Sequence, residues 1–271
     1  MKELDHLKAL PGHTAASTAF LSRLPVWRVY PQQGMSFRDG AHTFALAGGL
    51  IAVLPVTLGL LASNIGAPPA LAALVLLGAM MTTTGALHED GLADVADGFW
   101  GGHTVERKLA IMRDSAIGTY GVLALLVVTA MRWTALTALF AWSWDMVALT
   151  YIAVASLSRF AILLPWRYLP AVRPAESDEV ENGKSSAGLS ARYGGPDDQS
   201  VIMGAIWASP AFFFLLWVSM PSIIIGGLAI AAIAHIARRH IGGHTGDVLG
   251  ATQQLVEVGL LFGLALAMWT S

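Results

Sequence analysis

Residues 82–121 read TTTGALHEDGLADVADGFWGGHTVERKLAIMRDSAIGTYG, and long apolar runs flank them on both sides. Five acidic side chains fall between Glu89 and Glu106, followed by the step Arg113-Asp114-Ser115, with glycines throughout. Asp90, Asp94 and Asp97 are spaced i, i+4 and i+7, so a helix carries all three on one face. Carboxylates side by side repel one another, and an apolar protein gains nothing from the arrangement unless a cation neutralises it. Oxygen ligands without cysteine favour a hard ion, Mg²⁺ or Mn²⁺, and Mg²⁺ commonly works with phosphate-bearing substrates. The stretch therefore predicts a metal-dependent phosphoryl-transfer site at the edge of a membrane.

The rest of the composition agrees. The chain has 271 residues, 55% of them hydrophobic and 13% charged, which is not the balance of a soluble domain. Apolar stretches of bilayer length run roughly over 44–63, 70–87, 120–142, 146–166, 201–220, 222–237 and 252–269. Seven spans are expected; the short sixth and the Arg159-bearing fourth leave six or eight open. This makes the chain an all-α polytopic bundle, a single domain over 1–271, with 1–43 as an interfacial N-terminal segment and 44–271 as the bundle. Of the 16 Lys and Arg residues, only Arg132 and Arg159 lie within spans, and the rest fall on one side. By the positive-inside rule that side is cytoplasmic, which puts the N-terminus and every long polar segment there. The polar first 43 residues do not read as a signal peptide. Zero cysteines exclude disulfides, thiolate metal sites and cysteine nucleophiles. No basic block points to nucleic acid.

Elsewhere the polar residues inside or beside the spans carry the information. Phe20, Leu21, Leu24 and Trp27, with Arg23 and Arg28, read as a short interfacial helix broken at Pro25, either an anchor on the headgroups or a lip touching substrate. Arg132, near the middle of its span, is expected to face the interior, to pair with an acid or else to snorkel, and a functional role is as open as a structural ion pair. Arg159 lies nearer the cytoplasmic end, where it reaches either an anionic ligand or a partner. Residues 167–200 form a long polar loop; its NGKSS lacks the earlier glycine of a P-loop, but Lys184 and Arg192 are placed for a lid. In IGGHTGDVLGATQQLVE, Thr245 or Asp247 sits near a helix cap, and Gly250, Gln254 and Glu257 share the helix face of Asp247. That helix start, near Arg238, Arg239 and His240, is a natural phosphate cradle.

Taken together, GALHEDGLADVADGFWGG, ERKLAIMRDSAIGTYGVLAL and IGGHTGDVLGATQQLVE resemble the membrane-bound cobalamin synthases, or adenosylcobinamide-GDP ribazoletransferases; FLSRLPV and ASLSRFAILLPWRYLPAVRP extend the likeness over nearly the whole chain. The resemblance implies a Mg²⁺-dependent enzyme (Mn²⁺ is the other candidate) of the bacterial inner membrane. Its substrates would be adenosylcobinamide-GDP and α-ribazole or α-ribazole 5′-phosphate, and a ribose hydroxyl would displace GMP. On that footing Asp90, Asp94 and Asp97 hold metal, with Glu89, Asp114 and Asp247 completing the set. Lys108, Arg113, Ser115, Arg159, Lys184, Thr245 and Gly246 contact substrate, and His88 or His244 takes the hydroxyl proton, as imidazole titrates near neutral pH. Partners are then the two substrates, the bilayer and, as an option, a second copy of the chain. The long acidic loop over 174–200 is more polar than the family pattern leads one to expect.

Three rival readings remain at this level. CDP-alcohol phosphotransferases also carry an acidic helix, but Asp90-Gly91 is followed here by Leu92-Ala93-Asp94 with Asp97 three residues on, a poor match. Prenyltransferases share the metal logic. A transporter would use Arg132, Arg159 and Glu257 as a polar route, yet the acids cluster at one membrane face.

Overall fold

The computed structural model describes residues 2–28, 37–143, 146–172 and 194–270. Helix α1 covers Lys2–Leu21, α2 Phe44–Asn64, α3 Pro69–Thr84, α4 Leu87–Gly101, α5 Val105–Met112 and α6 Thr119–Trp142. They are followed by α7 Met146–Ala161, α8 Leu163–Tyr168, α9 Asp198–Val218, α10 Met220–Ile241 and α11 Gly246–Thr270. Among the described residues there is no strand, only an isolated bridge between Ala171 and His244. Six helical segments are long and apolar enough to cross a membrane, and the pair α3–α4 makes a seventh if counted as one bent span. The expected all-α polytopic bundle is what the chain forms.

Lipid rather than water explains the outer surface. Leu50, Leu61, Leu126, Phe213, Trp217 and Leu228 are well exposed. In a bilayer such side chains cost nothing, while every backbone polar group must be bonded within its own helix. Two helices are central: 72% of the apolar window of α11 and 67% of that of α7–α8 is buried, against 22–28% for α6, α9 and α10. Helix α11 packs on α4, α6, α7 and α10, and α2 packs on α3 and α7.

The main departure from the expected spans is at their second member. Helix α3 stops at Thr84, and the axis turns by 86° into α4. Gly85 (φ 65°) and Ala86 (φ 56°) both occupy the left-handed region, which glycine enters freely and alanine only with strain. The sixth span is longer than the expected 222–237, extending over Met220–Ile241, and Ser219 caps it by accepting a bond from Ser222 N. The short helix expected through Phe20, Leu21, Leu24 and Trp27 does not form as one element: the helix is Lys2–Leu21, residues 22–25 are non-helical, and Val26–Arg28 make a single 3-10 turn.

Within the bundle lies a buried ionic lattice. Arg132 (0% exposed) donates to Glu89 at 2.9 Å, Gln254 at 2.9 Å and Glu257 at 2.7 Å. Arg159 donates to the other oxygen of Glu257 at 3.0 Å, and Tyr151 and Gln253 also donate to that carboxylate. Two cations meet two anions, so the lattice ties α4, α6, α7 and α11 together with no net charge.

Candidate functional site

Helix α4 runs between α11, α6 and α5 and brings the acids to one place. Its Gly91 abuts α11 so closely that a Cβ there would lie 2.8 Å from the carbonyl oxygen of Asp247 and 3.3 Å from Gly250 Cα. The bare contact lets two acid-bearing helices approach. As a result the negative charges of Asp247, Asp90 and Asp97 all bear on Asp94.

Two cavities open on this cluster. The larger, about 680 Å³, is lined by residues 19–23 at and after the end of α1, by α2, the start of α4, α5, the segment Ile162–Val172 and the start of α11, including His88, Asp90, Thr245, Gly246 and Asp247. The smaller, about 290 Å³, is lined by Asp90, Asp94, Arg113, Asp114 and Ser115 among others. Asp90, Met112 and Arg113 belong to both and form the wall between them. The helical character expected of ERKLAIMR is realised in α5, whose Leu109 and Met112 are buried. This seats the following Arg113-Asp114-Ser115 opposite the acids.

The other expected site residues are placed differently. Asp97 is buried and accepts bonds from Gly118 N at 2.7 Å and Gly121 N at 2.9 Å, both at the start of α6. It therefore caps a helix that has no side-chain cap of its own. Glu89 faces the ionic lattice, as does Arg159, and neither lines either cavity. Lys108 packs against Gly102, also off both cavities. His244 is held in a loop clip: its N–H donates to Pro170 O, its carbonyl accepts from Val172 N, and its Nδ1 lies 3.1 Å from Leu169 O. Burial pushes its imidazole below the usual histidine range, against the opposing pull of the bonds to Leu169 and Pro170. Lys184 and most of the long acidic loop lie outside the described residues. Thr245 serves as the cap of α11, bonding Val248 N at 3.4 Å and Asp247 Oδ2 at 3.2 Å. Arg238 and Arg239 line neither cavity, and His240 stacks on Phe99.

His88 stands apart. It is 2% exposed, lines the larger cavity, and neither ring nitrogen has a hydrogen-bond partner among the described residues. Such orphaned buried groups are uncommon and call for a reason. Arg23, in the segment read from sequence as either a headgroup anchor or a lip touching substrate, lines the same cavity and bonds through its backbone N–H to Thr83 O beside the α3–α4 bend.

The donor set fits a hard cation without a closed cage. Among the described residues, no three acidic or histidine side chains stand close enough together to enclose an ion. Mg²⁺ does not require that: it is usually held by one or two carboxylates, with substrate phosphates and water completing its shell. Asp90, Asp94 and Asp247 supply oxygen donors only, and no Lys or Arg forms an ion pair with any of them among the described residues.

A membrane-embedded helical bundle that walls an acid-rimmed, two-part chamber has the build of a polytopic membrane enzyme rather than of a pore. Comparison with known proteins makes this specific. The chain belongs to the cobalamin-5-phosphate synthase family, whose model matches residues 13–265. It is 41% identical over 269 residues to an adenosylcobinamide-GDP ribazoletransferase of Rhizobium etli (strain CIAT 652), covering 94% of this chain and 96% of that protein. The namesake of Sinorhizobium medicae (strain WSM419) is 40% identical with the same coverage. That of Brucella ovis is 35% identical over 271 residues, covering 96% of this chain and 98% of the relative. No solved structure matches the chain.

Proposed function

We propose that the protein joins adenosylcobinamide-GDP to α-ribazole or α-ribazole 5′-phosphate, giving adenosylcobalamin or its 5′-phosphate and GMP. Family membership over almost the whole chain supports the reaction. The observation that carries the site is the wall of Asp90 and Arg113 shared by two cavities, since the reaction must bring two substrates together across one phosphate.

The ribose hydroxyl of the acceptor attacks the cobinamide-side phosphorus of the diphosphate. A new P–O bond forms, the bond from that phosphorus to the bridging oxygen breaks, and GMP leaves with that oxygen. Of the two histidines expected to take the hydroxyl proton, His88 is the one that lines the chamber; its uncommitted ring nitrogens accept a hydrogen bond from the attacking hydroxyl and orient it, and the proton is released to water. Arg113 and Ser115 face the diphosphate from the smaller cavity. Such transfers depend on charge neutralisation and in-line placement more than on a covalent nucleophile. Mg²⁺ held by Asp90, Asp94 and Asp247, with Asp114 at the margin, would neutralise the phosphate oxygens. The positive-inside asymmetry of the loops supports a chamber at the cytoplasmic face of the inner membrane.

The test is GMP release by the purified, detergent-solubilised protein given both substrates, first with Mg²⁺ and then with EDTA. Release that needs both substrates and the metal is expected. Folded protein that releases none under either condition refutes the assignment.

A further inference from the structure

The larger cavity has a second character beyond its acidic rim. Phe20 stacks on Phe44 with centroids 6.1 Å apart, and Phe44 on Trp166 at 6.0 Å; Phe44 and Trp166 are buried behind the wall, so the half-buried Phe20 is the ring this row presents to the cavity. At its edge lies Arg23. Its backbone N–H donates to Thr83 O at 2.7 Å, and its side chain crosses Gly85, where a Cβ would sit 2.5 Å from the guanidinium Nε. Glycine at that bend thus leaves room for the arginine to lie over the cavity mouth. Among the described residues Arg23 forms no ion pair, although Asp90 and Asp247 line the same cavity.

We infer that this chamber is the acceptor subsite, with the nucleoside base against Phe20, which Phe44 and Trp166 back from behind, and the acceptor's 5′-phosphate on Arg23. The inference rests on the reaction proposed above and assigns its two substrates to places. A flat heteroaromatic ring stacks well on aromatic faces. The benzimidazole of ribazole has a single unsubstituted ring nitrogen, so it can enter a mainly apolar chamber with little left unpaired. Guanine, the competing ring on the donor, carries donors and acceptors along its whole edge, and burying these against a phenyl face would leave them unsatisfied. A guanidinium free of carboxylate partners binds phosphate in its fork geometry. Arg23 is thereby a specificity residue: it distinguishes phosphorylated from free acceptor and has no contact with the donor.

The experiment measures KM for α-ribazole 5′-phosphate, α-ribazole and adenosylcobinamide-GDP in wild type, Arg23→Gln, Arg23→Lys and Phe20→Leu, by GMP release from the full chain. Arg23→Gln should raise KM for the phosphorylated acceptor ~10–100-fold, the size of a lost charged hydrogen bond, and leave the other two constants within about twofold. Arg23→Lys should show the same selectivity with a smaller rise, and it carries the test if the Gln variant does not purify folded. Phe20→Leu should raise KM for both acceptors about equally, by ~5–100-fold. A rise in the donor constant, or an equal rise for both acceptors in Arg23→Gln, overturns the inference. Calorimetric binding of α-ribazole 5′-phosphate to wild type and Arg23→Gln separates the two levels. If wild type releases no GMP yet binds the nucleotide in an Arg23-dependent way, the reaction falls and the subsite stands. If it neither binds nor discriminates, the subsite falls.

Discussion

Asp97→Asn separates two roles that the acidic helix combines. The carboxylate of Asp97 accepts N–H bonds from Gly118 and Gly121 at 2.7 and 2.9 Å, with the residue 8% exposed. It meets the positive end of α6, whose first-turn donors have no cap from their own chain segment. Asparagine keeps one acceptor oxygen and turns an NH₂ toward the second N–H. One charge-assisted bond is lost, worth about 1.5–3 kcal/mol, and the other loses its charge at a helix N-terminus, worth about 0.3–1 kcal/mol. The sum is roughly 2–4 kcal/mol, or a fall in melting temperature on the order of 5–15 °C for a chain of this size. Thermal unfolding in detergent, followed by tryptophan fluorescence, reads the shift; GMP release below the transition reads activity. The expected result is a destabilised protein whose Mg²⁺ dependence has an unchanged midpoint. A normal melting temperature with a strongly raised Mg²⁺ requirement would show that Asp97 is a metal ligand after all and that the cap is incidental.

Asp94→Asn is expected to do the reverse: turnover falls at least ~100-fold, as for loss of a group that stabilises transition-state charge, while the melting temperature holds or rises because a repelling charge has gone. Near wild-type GMP release would remove Asp94 from the metal set. Gly91→Ala places a methyl against the Asp247 backbone and should cost about 1–3 kcal/mol by overpacking; if α4 and α11 are forced apart, activity falls further than stability, and unchanged kinetics would show that their close approach is dispensable. Arg132→Met strips Glu89 and one oxygen of Glu257 of their cation, a loss of about 3–5 kcal/mol, read as failed membrane accumulation or a large drop in melting temperature. For His244, whose imidazole is buried and held below its usual range, the unfolded chain binds the proton more readily. Stability should therefore decline as pH falls below about 6.5 and be flatter in His244→Asn; identical pH profiles would disprove the linkage.

How far the sequence alone reached depends on which force set each feature. The spans were legible because lipid contact demands apolar side chains of bilayer length. Leu126, Trp217 and Leu228 announce themselves whatever the tertiary packing. The α3–α4 bend was not legible: Ala86 has no reason by its own chemistry to take φ 56°, and the reading that ran the second span to residue 87 followed hydropathy through it. The acidic helix was found by spacing, but Asp97 and Asp94 are the same chemical group at equivalent positions. What distinguishes them is the N-terminus of α6 standing opposite one and a cavity opposite the other, a property of packing twenty residues further along the chain. The expectation that Arg132 pairs with an acid was met through its cost in a membrane. Its partner, Glu89, was read as a possible ligand because nothing in the local pattern separates it from Asp90.

That neighbouring pair explains why a charged lattice lies beneath the site. Successive residues on a helix point about 100° apart, so when Glu89 is fixed to Arg132, Asp90 must turn toward the cavities and Asp94, one turn on, follows it. The lattice thus sets the rotation of α4 about its own axis. Gly91 sets the distance of α4 from α11, and the bond of Asp97 to α6 sets its far end. A hydrophobic contact in the same place would let the helix slide or turn, since apolar packing is non-directional. Three directional constraints, at residues 89, 91 and 97, hold the two carboxylates between them. On this argument the buried ions are retained for geometry rather than for stability, which agrees with the small net stabilisation that buried ion pairs provide.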